Sequence, residues 1–294
     1  MVIRLEDRFQ VVKLLGQGGF GRVLLVRDRR TDVHVAAKVM KGPVTIATRQ
    51  RFVREVKQLE RYSAVGQVIP VLEKFLEAKR PFFTMPLAKG NLEQWAGRLS
   101  APQVAVAMLR VMEALAAVHA DGGFHRDIKP GNLFVLEKGE TVVGDFGLGN
   151  NPHVTRNFTR KAQGTFAYMA PELLAADPAH FTFACDVYSA GASWYHLVTG
   201  KGPAIAGGPL DPRRVKPNAD AWTSTWIGAM TRRDPTQRPT AEQAAAAIRQ
   251  RIRPSTVPAP RPAGNASAST AVRDALAVGA VFGVLALIIA AAAK

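Results

Sequence analysis

His125-Arg126-Asp127-Ile128-Lys129-Pro130-Gly131-Asn132 leads into an apolar run, Leu133-Phe134-Val135-Leu136, then a turn, a second apolar run and Asp145-Phe146-Gly147. Two such runs around Gly139 predict a short β-hairpin. Asp127, Lys129 and Asn132 stand just before its first strand and Asp145 just after its second. The open end therefore gathers three oxygen-bearing side chains and one ammonium. Two-metal phosphoryl transfer needs this set. One carboxylate orients the nucleophile and takes its proton, while an Asn and a second carboxylate hold Mg²⁺, which prefers hard oxygen ligands. An ordinary charged turn would not require this spacing.

The stretch closely resembles the catalytic segment of eukaryotic-type protein kinases, in which HRDxKxxN is followed about a dozen residues later by DFG. The resemblance covers residues 8 to 252 and implies an α+β, bilobal protein-kinase fold: a small β-rich N-lobe (8–85), a hinge (86–90) and a larger α-helical C-lobe (91–252). It also implies roles. Asp127 orients the substrate hydroxyl, and Lys129 neutralises the transferring phosphoryl group. Asn132 and Asp145 hold Mg²⁺, with Mn²⁺ as an alternative. Arg126 is expected to pair a phosphate on the activation loop rather than to enter the chemistry.

Upstream, Phe9, Val11 and Val12 lead into Gly16-Gln17-Gly18-Gly19-Phe20-Gly21, followed by Val23-Leu24-Leu25-Val26. A lone GxGxxG is weak and equally opens a dinucleotide-binding unit, but that unit needs a helix after the glycines. The β-branched run predicts a strand instead, so the glycines form a hairpin tip able to close over phosphates. Val35-Ala36-Ala37-Lys38 resembles the kinase strand whose lysine pairs the α- and β-phosphates of ATP. A charged helix is predicted over 49–60, with Phe52, Val56 and Leu59 on one face. Glu55 within it is expected to pair with Lys38, and Glu60 is the runner-up on spacing. Apolar strands are predicted at Val68–Val71 and Phe82–Met85. The second runs into Pro86-Leu87-Ala88-Lys89-Gly90-Asn91, which resembles the hinge. There Met85 guards the back of the adenine pocket, Val23 and Ala36 contact the base, and Ala88 supplies backbone N–H and C=O to its edge. Pro86 departs from the usual acidic residue but keeps its carbonyl.

Ser100-Ala101-Pro102-Gln103 reads as a capping box. Val104, Met108, Val111, Leu115 and Val118 then recur at helical spacing, a core face. The segment from Asp145 to Glu172 resembles an activation loop. Its end, Gly164-Thr165-Phe166-Ala167-Tyr168-Met169-Ala170-Pro171-Glu172, is the serine/threonine-kinase form. Lys129 and Thr165 together argue against a tyrosine kinase. Thr155 and Thr159 are candidate phosphorylation sites beside Arg156, Arg160 and Lys161. By resemblance, Asp186 braces the catalytic loop's backbone and Arg238 pairs with Glu172. Thr240-Ala241-Glu242-Gln243 caps a last, Ala-rich helix.

The net charge of +16 over 294 residues allows a nucleic-acid binder, a protein beside an anionic membrane, or a basic proteome. The basic residues are scattered without an aromatic-interleaved block, so no nucleic acid is expected. One cysteine, Cys185, excludes an internal disulfide and a cysteine-ligated zinc site. The charged N-terminus is no signal peptide. Residues 253–274, rich in Pro, Ala, Ser and Thr, read as a flexible linker. Residues 275–293 carry no charge and, at ~1.5 Å per residue, would span about 28 Å as a helix, enough for a bilayer core. Arg249, Arg251, Arg253, Arg261 and Arg273 precede this segment and only Lys294 follows it. A single-pass membrane protein with its kinase domain in the cytoplasm is therefore expected, without an extracellular sensor domain. Gly279 and Gly283 form a GxxxG, a spacing that permits close helix packing and is compatible with a homodimer, though it is common by chance in Ala/Gly-rich spans.

The sequence thus implies a membrane-anchored serine/threonine protein kinase. It would use ATP and Mg²⁺ on protein substrates and be activated by phosphorylating its own loop. The alternative is a tethered pseudokinase scaffold, whose mark would be loss of Lys38, Asp127, Asn132 or Asp145; all four are present.

Overall fold

Five antiparallel strands form the first lobe. The computed structural model describes residues 4–18, 21–146, 166–175, 181–204 and 208–252. Strands β1 (Phe9–Gln17), β2 (Gly21–Asp28), β3 (His34–Met40), β4 (Glu73–Phe75) and β5 (Phe82–Met85) assemble in the order β1-β2-β3-β5-β4. The register sets Val23 opposite Lys38, and Ala36 opposite Met85. Helix α1 (Ile46–Ser63) covers one face and buries Phe52, Glu55, Val56 and Leu59. Phe52 meets Phe83 of β5 at a ring separation of 5.7 Å. Arg8 clamps the far edge by donating to both Asp28 and Glu73.

The strand expected at Val68–Val71 is displaced. Pro70 has no N–H to give a ladder and fixes its own φ. That segment makes only an isolated parallel bridge, Val68 to Val143. The strand beside β5 forms later, at Glu73–Phe75.

The second lobe is built on helices. Helix α2 (Ala101–Ala120) opens with the capping box: the Ser100 N–H donates to Gln103 Oε1 at 2.8 Å, and the Gln103 N–H returns to Ser100 Oγ at 3.4 Å. Val104, Met108, Val111, Leu115 and Val118 are all buried. Among the described residues α2 is the helix long and apolar enough to cross a membrane, but it is mostly buried as the core of this lobe. A small sheet, β6 (Gly90–Asn91), β7 (Leu133–Val135) and β8 (Thr141–Val143), carries the hairpin, with Gly139 at φ +85° in its turn. Helices α3 (Pro171–Ala175), α4 (Phe183–Thr199), α5 (Ala221–Met230) and α6 (Ala241–Ile252) follow. Helix α4 ends at Gly200 in the left-handed region. A Cβ on Gly97 would sit 2.8 Å from the Gly200 Cα, so two glycines let the chain after the Leu92–Trp95 turn close on α4.

One ion pair ties α3 to the segment before α6. The guanidinium of Arg238 is wholly buried and donates to Glu172 at 2.6 and 2.8 Å and to the carbonyls of Ala184 and Arg232. Residues 253–294, and with them the predicted linker and membrane segment, lie outside the described residues.

Burial would push the Glu172 carboxyl up, but the Arg238 fork outweighs it and holds the group below the usual carboxylate range. A depressed folded-state value means that the pair's stabilisation is present above the unfolded pKa and lost as pH falls through the folded one. Arg238→Met strands the carboxylate and should cost about 3 kcal/mol in urea unfolding at about pH 7. The gap between variant and parent should narrow between about pH 5 and pH 3.

Candidate active site

Between the lobes lies a cleft of ≈ 690 Å³, a volume that suits a nucleotide-sized ligand. Its roof is the β1–β2 hairpin. The Gly18 N–H donates to the Gly21 carbonyl at 2.9 Å, which closes the turn. A Cβ on Gly16 or Gly18 would meet nothing within 4 Å. Protein packing therefore does not demand glycine at these two positions, whereas close approach of a ligand to the backbone would. Gly16, Gln17, Gly18 and Gly21 line the cleft. Gly19 and Phe20 lie outside the described residues.

Behind the roof the walls are apolar. Val23, Ala36 and Met85 line the cleft together with Leu15 and Phe134, and the hinge contributes Pro86 and Ala88. Nothing in the sequence distinguishes Leu15 and Phe134 from ordinary strand residues. Asn91 carries no special signal in the sequence either. It lines the cleft, and its Oδ1 is buried without a hydrogen-bond partner. An orphaned acceptor of this kind is costly unless a ligand hydroxyl or amine fills it.

Lys38 reaches from β3 into the back of the cleft. Its Nζ lies 2.5 Å from Glu55 Oε1 on α1 and 2.5 Å from Asp145 Oδ1 after β8. Glu60, the other candidate partner, instead holds Lys74 on the outside at 2.6 Å. Burial alone would pull the Lys38 ammonium down, but the two carboxylates outweigh it and push its pKa up. Asp145 is likewise pushed up by burial and held below the usual range by Lys38. For Glu55, burial prevails over the same lysine and its pKa rises.

The opposite lip is the segment before β7. Asp127 accepts from Lys129 Nζ at 2.9 and 3.0 Å and from Asn132 Nδ2 at 2.8 Å. Asn132 also donates to the Asp127 carbonyl at 2.7 Å, leaving its Oδ1 uncommitted to these contacts. His125 is fully buried, and burial pushes its pKa down, so the ring is neutral. It accepts the Asp127 N–H at Nδ1 and donates from Nε2 to the Gly144 carbonyl, linking both ends of the hairpin. Beneath, Asp186 of α4 accepts the N–H groups of His125 and Arg126 at 2.9 and 2.8 Å. His119 Nε2 stands 3.0 Å from the same carboxylate, a contact the sequence did not disclose. Arg126 and Asp145 both adopt positive φ, +69° and +55°. Non-glycine residues hold that geometry only where their surroundings impose it. The Arg126 guanidinium lies 5.5 Å from the rings of Phe124 and Phe181. Thr155, Thr159 and Thr165 fall outside the described residues.

A nucleotide-sized cleft between a five-stranded lobe and a helical lobe, with a lysine, two aspartates and an asparagine at its inner end, defines a phosphotransferase site of the protein-kinase type. The protein kinase domain family matches residues 9–247, and the chain belongs to that family. It is 38% identical over 212 residues to the DNA damage-responsive serine/threonine-protein kinase RqkA of Deinococcus radiodurans, covering 68% of this chain and 31% of that protein. Against the serine/threonine-protein kinase PknK of Mycobacterium tuberculosis it is 35% identical over 202 residues, 67% of this chain and 18% of PknK. Against PkaA of Streptomyces coelicolor, also a serine/threonine-protein kinase, it is 33% identical over 276 residues, 83% of this chain and 50% of PkaA. The chain thus spans half or less of these relatives' lengths.

Asp145→Asn keeps the side chain's shape but removes the charge facing Lys38. Mg²⁺-ATP at about 100 times its Kd should stabilise the parent by about 2.7 kcal/mol. Thermal shifts with and without Mg²⁺ should show that the variant loses most of the Mg²⁺-dependent part of that gain.

Proposed function

We propose that the protein is an ATP-dependent serine/threonine protein kinase that transfers the γ-phosphate to Ser or Thr hydroxyls of protein substrates. The observation that carries this is the assembled inner end of the cleft: Lys38 held between Glu55 and Asp145, facing Asp127, Lys129 and Asn132. The bacterial relatives, all serine/threonine-protein kinases, support serine/threonine specificity.

The chain's residues divide the work between positioning and electrostatics. The glycine turn covers the phosphates, and Lys38, fixed by Glu55, pairs with them. The Pro86 carbonyl and the Ala88 backbone take the adenine edge, and the buried Asn91 Oδ1 takes a ribose hydroxyl. Asp127 aligns the incoming hydroxyl and accepts its proton. Lys129, already against Asp127, stabilises charge on the phosphoryl group in flight. Among the described residues no cluster of three or more His, Cys, Asp or Glu side chains could hold a metal. A site of Asp145 and Asn132 completed by phosphate oxygens and water suits Mg²⁺, which seldom takes an all-protein cage. Bound there, Mg²⁺ would neutralise the phosphate oxygens.

Activation by autophosphorylation is part of the proposal. A phosphate on Thr155 or Thr159 would find Arg126, whose guanidinium is exposed at the rim of the catalytic loop. Residues 275–293 would anchor the chain in a membrane with the kinase domain on the cytoplasmic side. The support is composition: nine Val, Leu, Ile or Phe residues contribute about −4 kcal/mol of insertion free energy. Pairing through Gly279 and Gly283 would give a homodimer.

The test is autophosphorylation of the full chain with Mg²⁺-ATP, mapped by mass spectrometry, against Asp127→Ala. The parent should label on Thr155 or Thr159, and the variant should label at least about 100-fold more slowly. If neither labels itself or any added protein while ATP still binds, the chain is a nucleotide-binding scaffold and the proposal fails.

A further inference from the structure

Tyr62 is a buried tyrosine with no part in the transfer chemistry, and its place on α1 is informative. It lies near the end of that helix, two turns after Glu55. Side chains two turns apart return to the same face of an α-helix. Glu55, Leu59 and Tyr62 are all buried on this face. Whatever holds Tyr62 therefore also fixes the rotation of α1 about its axis, and with it the direction in which Glu55 points.

The second lobe supplies that hold. The Tyr62 ring stacks on Phe146 at 5.5 Å with 17° between the planes. Its hydroxyl donates to the Asp121 carboxylate at the end of α2; burial and then this bond push its pKa up, so it stays a donor. The oxygen rests over Gly123. A Cβ there would collide with it and stand 3.3 Å from the ring carbon that bears it. The Val118 carbonyl oxygen, at 3.2 Å from the same Cβ, would need to give by only a few tenths of an ångström. The φ of Gly123 lies outside the left-handed region, so the Tyr62 hydroxyl, and not the backbone, is what asks for glycine. Arg61, one residue earlier, gives its guanidinium to the same Asp121 carboxylate but stands mostly exposed.

Resting on the kinase reading above, we infer that Tyr62 is a positioning residue for phosphoryl transfer: its hydroxyl, bonded to Asp121 in the space that Gly123 leaves open, locks α1 at the rotation that keeps Glu55 on Lys38. Ring stacking alone tolerates sliding and tilting, whereas a hydrogen bond defines one direction. The Lys38–Glu55 pair is buried, and such a pair keeps its strength only in good geometry. A small roll of α1 is therefore enough to weaken it.

The experiment uses the full chain at saturating Mg²⁺-ATP and reads γ-phosphate transfer to casein and to the chain itself. Tyr62→Phe keeps the ring and its stack and loses only the bond. Its kcat should fall about tenfold, the scale of one hydrogen bond to a charged group, with the KM for ATP little changed. Gly123→Ala should lower kcat in the same way, because its methyl takes the place of the hydroxyl. Arg61→Ala should leave kcat unchanged, since an exposed pair contributes little. The deciding readout is Tyr62→Phe placed in the Glu55→Gln variant. A merely structural tyrosine slows both backgrounds by the same factor; a residue that acts through Glu55 should change the Glu55→Gln rate by less than about twofold. The inference is overturned if Tyr62→Phe transfers at the parent's rate, or if its loss is equally large with and without Glu55; either result leaves the kinase reading standing. If the parent phosphorylates neither casein nor itself, both fall.

Discussion

One ammonium between two carboxylates holds the catalytic cleft in register. Lys38 comes from the sheet, Glu55 from the helix laid on it, and Asp145 from the end of the second lobe's hairpin. Taking three charges out of water is expensive, and such a cluster adds little net stability over well-packed apolar residues. Its value is positional. Removing Lys38 leaves two neighbouring carboxylates uncompensated, which costs about 3–5 kcal/mol where the site is buried. The arrangement therefore has one favourable geometry, in which the strand, the helix and the aspartate after β8 are correctly placed together. Phe146, next to Asp145, supports it by stacking on Tyr62 of α1 at 5.5 Å and lying against His125 at 4.6 Å.

The opposite lip depends on the inverse device, one buried anion surrounded by donors. Asp186 is 1% exposed and satisfies two consecutive backbone N–H groups of the catalytic loop, with His119 at its other side. These bonds help to hold Arg126 at positive φ, a conformation that costs of order 1–3 kcal/mol in a non-glycine residue. Asp145 carries the same kind of strain at the far end of the hairpin. Strain at both ends of one short hairpin is consistent with a site whose polar groups are set before any ligand arrives. His125, neutral and bonded at both ring nitrogens, joins those ends.

Much of this was legible in the sequence, and the reasons are physical. The residues from His125 to Asp145 carry chemistry that tolerates few replacements, so type and spacing alone were diagnostic. Helix caps at Ser100 and Thr240 are local and can be read without tertiary context. Arg238 and Glu172 are far apart in the chain and were matched by resemblance, with the buried fork then visible in the structure. What escaped needs three dimensions. Pro70 moved a strand to Glu73–Phe75, though the apolar run at 68–71 was the stronger local signal. Leu15 and Phe134 are ordinary apolar residues until the cleft shows them facing it. Asn91 becomes notable only once its buried oxygen is found without a partner.

The most direct test of the central claim is the rate of γ-phosphate transfer by Glu55→Gln at saturating Mg²⁺-ATP, beside the parent. Glutamine keeps the size of the side chain and removes the charge that fixes Lys38. If the Lys38 cluster sets the cleft, kcat should fall by at least about tenfold through lost positioning, while nucleotide still binds. Transfer at the parent's rate would mean that Lys38 is held without Glu55, and would contradict the account.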